Sequence, residues 1–335
     1  MRALCSIAPG DWKTLEICDL PAPSCGAGEV RVRVACSAVN YPDALLIEDR
    51  YQFRPERPFA PGCEISGTII ETGEGVEDLA AGMRVLGVAV GGGGMAEEIV
   101  LPATNVVPIP DDVPFDVAAA LILTYGTVWH GLVERGNIKP GHSLLVLGAA
   151  GGVGSACIEL GKALGARVVA GVSSEEKAQV ARKLGADDVL IYPRAPLDKD
   201  ARKALGQELK KLAPNGFDLV FDPLGGDYVD PALRAIGWQG RYLVVGFLAD
   251  IGAVPMNLLL LKGCDMVGVF YGDHLNRNAA ALREHAGELF NLCRDGKIAP
   301  LISARFPLEE GGKAIAALAE RKAVGKVVVT VSDQG

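Results

Sequence analysis

Apolar and polar positions change rhythm along this chain. Up to about residue 114 the apolar residues come in short alternating runs. RVRVACSAVN (31–40) alternates at its start, and GTIIETG (67–73) and MRVLGVAV (83–90) follow with glycine punctuation. Pro and Gly recur throughout, so this third reads as short strands and turns, the texture of a small barrel.

From residue 115 the period lengthens. FDVAAALILTYGTVWHGLVERG (115–136) predicts one helix, stopped at Gly136 or Asn137. LLVLG (144–148) is a short apolar run, as expected of a strand buried on both faces of a parallel sheet. A helix over GGVGSACIELGKALG, a strand RVVAGV (167–172) and a helix SSEEKAQVARKLGA follow, the last with a capping box from Ser173 and Glu176. DDVLIY, FDLVFD and GRYLVVG continue the alternation, which predicts an α/β fold with a doubly wound parallel sheet. LREHAGELFNLCRDGKI is an amphipathic helix ended at Gly296. The stretch 305–331 then reads strand, helix, strand, and is expected to return to the first domain and complete its barrel. The expected divisions are 1–120, 121–262 and 263–335, the last returning to the first domain; two domains suit 335 residues.

The sharpest chemical signal is LLVLGAAGGVGSACIELGKALGA. A strand ends at Gly148, and Gly151, Gly152 and Gly154 open a helix. Glycines there let backbone approach a pyrophosphate, and the helix N-terminus offers free N–H groups and a positive dipole end. Ala149 stands where strict G-x-G-x-x-G has its second glycine, but the strand-to-helix context is the one the motif requires. Ala150, Gly151, Gly152 and Val153 are therefore candidate cofactor contacts. The second strand ends at Ser173 and Ser174, where an NAD site usually carries an acid for the ribose 2′-OH. Lys177, one turn in, has the reach for a 2′-phosphate, or simply solvates an exposed helix face. Tyr192 and Arg194 follow the third strand and are candidates to close the same pocket. The expected cofactor is NADPH.

Charge modifies this picture slightly. The net charge of −8 argues against a nucleic-acid surface. Residues 121–262 hold 16 Lys/Arg against 14 Asp/Glu, while the remainder holds 17 against 27, so the middle is the better host for an anionic ligand. No apolar run reaches the roughly 18 residues of a spanning helix, and the start lacks a signal-peptide core, which reads as a soluble cytoplasmic protein with no membrane partner. The eight cysteines are scattered without C-x-x-C, so no disulfide framework is expected, and the four histidines look isolated.

VNYPDALLIEDRYQ, PFAPGCEISGTI, AALILTYGTVWHGL, VLGAAGGVG, KLGADDVLIY, FDLVFDPLGG and VGKVVV together resemble the zinc-free quinone oxidoreductase branch of the medium-chain dehydrogenase/reductase superfamily. The resemblance implies a GroES-like β-barrel-type catalytic domain beside a Rossmann domain, with NADPH held between them. It also implies homodimers that pair Rossmann sheet edges through CDMVGVFYG (264–272). By the same resemblance Asn40 and Tyr51 line the substrate side of the nicotinamide and donate to an acceptor oxygen, with Tyr41 a neighbour. Thr127 contacts the nicotinamide, Gly246 and Phe247 approach the ribose or nicotinamide, Phe270 lies near the dimer edge, and Lys326 lies near the cofactor. Read from the residues alone, Asn40 equally caps a turn, Tyr51 packs at a domain edge and Lys326 faces solvent.

Cys63 beside Glu64 looks like half a metal site. Zinc-bearing relatives offer a cysteine where this chain has Asn40 and a histidine where it has Cys63. TYGT (124–127) adds no soft ligand, and residues 85–100 lack the cysteines of a structural site. A catalytic zinc needs three protein ligands, so no metal is expected and Cys63 reads as a small buried residue. Without a Lewis acid the hydride acceptor must delocalise charge itself, which points to a quinone or α,β-unsaturated carbonyl as the small-molecule substrate. An acrylate-type acid or acyl-CoA is the alternative within enzymes, for which Arg50, Arg54 and Arg57 are candidate anion partners. A catalytically silent, crystallin-like NADPH-binding protein is the alternative outside them.

Overall fold

Val30, Val32 and Val34 alternate inward along one strand, and this period of two organises the first half of the computed structural model. The structure describes residues 1–52, 54–320 and 323–332. Among these, the elements begin β1 (Arg2–Ser6), β2 (Leu15–Asp19), β3 (Glu29–Ala38), α1 (Tyr41–Ile47), β4 (Glu64–Thr72), β5 (Arg84–Val88), β6 (Glu98–Pro102) and β7 (Val106–Pro108). They continue with α2 (Phe115–Ala119), α3 (Ile122–Trp129), β8 (Ser143–Val146), α4 (Gly152–Ala163), β9 (Arg167–Val172), α5 (Glu175–Lys183), β10 (Asp188–Ile191) and α6 (Lys199–Leu212). The rest are β11 (Phe217–Asp222), α7 (Val229–Ala235), β12 (Ile236–Val244), α8 (Met256–Lys262), β13 (Asp265–Gly268), α9 (Tyr271–Arg277), α10 (Ala281–Arg294), β14 (Ile302–Pro307), α11 (Gly311–Ala319) and β15 (Lys326–Thr330).

The chain divides into two compact units: Met1–Gly126 with Gly272–Asn291 and Pro300–Gly335, and Thr127–Tyr271 with Leu292–Ala299. The observed divisions at 126/127 and 271/272 fall six and nine residues beyond the expected 120/121 and 262/263, and Leu292–Ala299, expected in the return to the first domain, groups with the second unit.

In the first unit the strand order is β14-β15-β3-β4-β5-β7, with β6 also on β3. The ten-residue β3 serves two partners on one side, β6 at Glu29–Arg33 and β15 at Cys36–Ala38. The C-terminal strands thus complete the sheet begun by residues 29–108. Arg321 and Lys322, inside the stretch predicted as strand, helix, strand, lie outside the described residues. The core gathers Val30, Val32, Val34, Ile65, Ile69, Val85, Leu101 and Val106.

In the second unit every strand pairing is parallel, in the order β10-β9-β8-β11-β12-β13. Numbered within the unit this is 3-2-1-4-5-6, the Rossmann order. All carboxyl ends of these strands therefore share one edge, where ligands of such sheets bind.

Local expectations differ at four places. The helix expected over 115–136 is broken at Ala120–Leu121, and its last turns, His130–Arg135, widen to a π-helix. The reason for the break is a buried acid: Glu64 Oε1 accepts from Leu123 N at 2.8 Å and so caps a new helix start. At α5 the cap is Ser174, not Ser173; its hydroxyl accepts from Lys177 N at 3.3 Å. Cys5 and Cys18 form a disulfide where none was expected. The antiparallel register sets Cys5 against Glu16 and Ala3 against Cys18, which brings two distant cysteines to a Cα separation of 6.2 Å. Nor are the histidines isolated: His130 pairs with Glu134, and His274 stacks on His285 with centroids 5.8 Å apart.

Candidate functional site

In the second unit, the turn from β8 into α4 is shaped by two glycines. Gly148 has φ 61°. A Cβ on Gly154 would lie 2.2 Å from Gly148 O and 2.7 Å from Ala149 Cα, so the helix can sit on its loop only with glycine there. Intrahelical bonding begins with Ser155 N donating to Gly151 O at 2.8 Å. The amides of Gly152, Val153 and Gly154 precede that bond and point their N–H groups from the helix start, beside Ala150 and Gly151. This is a cradle for a phosphate, and the residues fit a dinucleotide.

Ser173 and Ser174 follow β9 at the same sheet edge, with Lys177 in the first turn of α5. Gly246 and Phe247 follow β12, and Phe270 follows β13; the two phenylalanines are exposed. Thr127 lies on α3. Tyr192 is buried, and its phenol oxygen accepts from Gly148 N at 3.2 Å, which sets it against the phosphate loop. Arg194, two residues on, is exposed.

Sequence reasoning passed over Asp222, at the end of β11. Its carboxylate accepts from Leu224 N (2.7 Å), Gly225 N (3.0 Å) and the Tyr242 hydroxyl (2.6 Å), and so fixes the next loop of the same edge. Burial nevertheless pushes the Asp222 carboxyl up, against those hydrogen bonds, and pushes the Tyr242 phenol well up. An acid closing the apolar run LVF (219–221) was the signal for it.

In the first unit a second constellation forms where β3, β4 and β15 meet. Glu64 is fully buried and Lys326 is 3% exposed. Lys326 Nζ donates to Glu64 Oε2 (3.1 Å), Asn40 Oδ1 (2.8 Å) and Val39 O (3.3 Å), which accounts for all three ammonium hydrogens. Asn40 Nδ2 donates to Glu64 Oε2 (3.0 Å) and Ala38 O (3.1 Å). Both amide hydrogens of Asn40 are thereby committed inward. This corrects the expectation that Asn40 donates to an acceptor oxygen, and the reading that Lys326 faces solvent.

Asp43, another acid missed in VNYPD, lies fully buried behind this set. Its oxygens accept from Asn40 N (2.7 Å) and Gly62 N (3.0 Å). Burial pushes its carboxyl up, while the Asn40 amide, the Cys63 thiol, the Gly62 amide and Lys326 pull it down. Burial, then the Asp43 charge, push the Cys63 thiol well up, so it stays protonated and unreactive. Burial also raises the Tyr51 phenol, with Cys63 and Asp43 adding, which keeps it protonated. Of the three arginines, Arg57 is tied to Asp49 (2.8 Å), Ser6 Oγ (3.2 Å) and Ile47 O (3.0 Å), and Arg50 to Glu48 (2.8 Å). Arg54 lines a surface depression with Pro55, Phe59, Ala60, Val90 and Gly91–Gly93.

Comparison with known proteins agrees with both halves. Residues 26–111 match the alcohol dehydrogenase GroES-like domain, and residues 152–286 match the zinc-binding dehydrogenase family. A GroES-like unit joined to a Rossmann unit defines the medium-chain dehydrogenase/reductases. A quinone oxidoreductase-like protein 2 homolog of Nematostella vectensis is 39% identical over 307 residues, 91% of this chain and 82% of that protein. Among solved structures, a mycobacterial protein complexed with NADPH is 28% identical, with a TM-score of 0.89 and coverage of 98% of this chain and 100% of that one. Escherichia coli quinone oxidoreductase complexed with NADPH has the same TM-score, 0.89, and coverage, at 25% identity. The chain belongs to the zinc-independent, quinone oxidoreductase-like branch of that superfamily.

Proposed function

We propose that this protein is an NADPH-dependent oxidoreductase that reduces a quinone or α,β-unsaturated carbonyl without a metal. Bound NADPH supplies the hydride. The Gly152–Gly154 amides hold the pyrophosphate, and Ser173, Ser174 and Lys177 take the 2′-phosphate. Thr127, Gly246 and Phe247 position the nicotinamide half. Tyr51, kept protonated by burial, donates to the acceptor oxygen as charge develops there. Asn40 acts through Tyr51's surroundings as a positioning residue, since its own hydrogens are spent.

The observation that carries this reading is the Lys326 ammonium seated on Glu64 and Asn40. Where metal-bearing relatives place their ligands, this chain has a carboxylate already paired with a lysine, an amide and a buried thiol. That donor set suits an acceptor that needs no Lewis acid. The test is NADPH oxidation after dialysis against a chelator, with a quinone, an enone, an acrylyl thioester and a simple ketone. Turnover of quinone and enone but not ketone is expected; turnover of the ketone alone overturns it.

Arg54, exposed at the depression beside Phe59, favours a second reading in which the acceptor is an acrylate-type acid or acyl-CoA. Turnover of the thioester alone selects that reading. NADPH binding with no turnover of any conjugated acceptor selects the silent, crystallin-like one. We also propose a homodimer through β13, whose outer edge has no strand partner among the described residues. Trp238, Leu260 and Leu261 lie in the same unit at 70%, 82% and 67% exposure. A Leu260→Lys variant sedimenting as monomer, against a dimeric parent, is the expected result.

A further inference from the structure

We propose that the Cys5–Cys18 disulfide is a redox-sensitive latch, which holds β2 on β1 when oxidised and releases it when reduced by a dithiol. The bond joins two unlike positions. Cys5 is fully buried in a small cluster with Ala3, Ala60 and Ala96, whereas Cys18 is half-buried on β2. β1 is integrated into the unit: Leu4 N donates to Met95 O (2.9 Å), Glu97 N to Arg2 O (3.0 Å), and Ser6 and Phe59 exchange backbone hydrogen bonds (2.8 and 3.3 Å). β2 has β1 as its sole strand partner among the described residues. A two-stranded ribbon is marginal by itself, so a covalent bond from its outer strand inward changes how often that strand opens.

The fold does not depend on this bond for its core. Both units bury extensive apolar clusters of their own, and the six other described cysteines are free. A staple is needed by small scaffolds, not by a chain of 335 residues. What the bond does reach is the segment 57–60. Cys5 packs on Ala60, and its neighbour Ser6 accepts from Arg57 Nε (3.2 Å) and pairs with Phe59. Phe59 and Ala60 line the depression that also holds Arg54 and Gly91–Gly93. The redox state of the ribbon is therefore felt one layer away, at a surface depression.

The exposure difference sets the direction of exchange. A thiolate of the reductant attacks the reachable Cys18 Sγ, the S–S bond breaks, and Cys5 leaves and takes up a proton. The reductant's second thiol then attacks the mixed disulfide, releases Cys18 as a thiol and closes the reductant's own disulfide, with two electrons passed to the protein. Exchange with an oxidised dithiol reverses each step.

The test compares the full chain equilibrated in oxidised and in reduced dithiothreitol, by peptide mass mapping after alkylation and by amide hydrogen exchange. A Cys5–Cys18 linked peptide is expected in the oxidised sample alone. Exchange over residues 15–20 should rise about tenfold on reduction, with a smaller rise at Phe59–Ala60 and none in α4. Cys18→Ser, at the less buried of the two positions, should match the reduced protein under both conditions. Absence of the linked peptide, or equal exchange of residues 15–20 in both states, overturns the proposal.

Discussion

Lys326 and Glu64, 262 residues apart in sequence, form an ion pair of 3.1 Å with neither side chain more than 3% exposed. The pair ties the last strand of the sheet to β4, and Glu64 extends it to the start of α3 through Leu123 N. A buried pair is weak evidence of net stabilisation, but breaking one partner strands the other charge. Lys326→Met should cost about 3–5 kcal/mol in urea denaturation, and Glu64→Gln a similar amount, since an amide oxygen turned to Leu123 N leaves its NH2 facing the Lys326 ammonium and Asn40 Nδ2. The double variant Glu64→Gln/Lys326→Met should be markedly less destabilised than the sum. Additive costs would mean that the two charges are not coupled.

Much of this architecture was legible because it depends on local pattern. Alternating valines gave β3, and apolar runs between glycines gave the parallel strands. The phosphate loop declared itself through Gly154, whose Cβ the loop cannot accommodate. What stayed hidden was long-range. No spacing rule links Lys326 to Glu64, or Cys5 to Cys18, because strand register decides both, that of the seven-stranded sheet for the first and of the β1–β2 ribbon for the second. Asn40 was expected to donate to an acceptor oxygen. Its donors are consumed by Glu64 and Ala38, a fact that only the packed structure carries.

Asn40 and Tyr51 are separated by experiment. Tyr51→Phe removes a phenolic donor while keeping the ring, so kcat should fall about 10- to 100-fold, with the Kd for NADPH within twofold of the parent. Asn40→Ala instead leaves Lys326 and Glu64 short of a hydrogen-bond partner each, and should show first as a loss of stability of about 1–3 kcal/mol. A Tyr51→Phe protein with full turnover would remove Tyr51 from the reaction.

Gly154→Ala places a methyl 2.2 Å from Gly148 O, so loop or helix must shift. The expected result is a Kd for NADPH weakened at least about tenfold, read by nucleotide fluorescence, together with a stability loss of about 1–3 kcal/mol. Gly287→Ala is the matched control. Gly287 is exposed on α10, and an added Cβ meets nothing within 4 Å. That change should stabilise the protein by about 0.5–1 kcal/mol.

Preference for NADPH over NADH should rest on Lys177. Lys177→Ala keeps the backbone N–H that Ser174 accepts, so α5 stays capped. The Kd ratio of NADH to NADPH should fall by roughly 10- to 100-fold, the range expected for one charge-assisted hydrogen bond. An unchanged ratio would leave Lys177 as a solvated surface lysine.

Stability at alkaline pH offers a measurement independent of cofactor and substrate. Burial, and behind it the Asp116 charge, push the Cys36 thiol up to about 12 from an ordinary 9.0. An acid with a raised folded pKa stays protonated in the folded chain while the unfolded chain loses its proton. The folded state then binds more protons between those two values, so stability is full below pH 9 and falls as pH rises towards 12. Between pH 9 and 10.5 Cys36 should contribute a loss of about 1.5 kcal/mol. Cys63 and Cys157, also pushed well up by burial, add to the decline in the same direction. Cys36→Ala should be less stable than the parent at pH 8, because a small cavity opens in the sheet. Its denaturation midpoint should nevertheless fall less steeply over the alkaline range. Parallel pH profiles for the two proteins would show that the thiol at Cys36 ionises as readily in the folded chain as in the unfolded one.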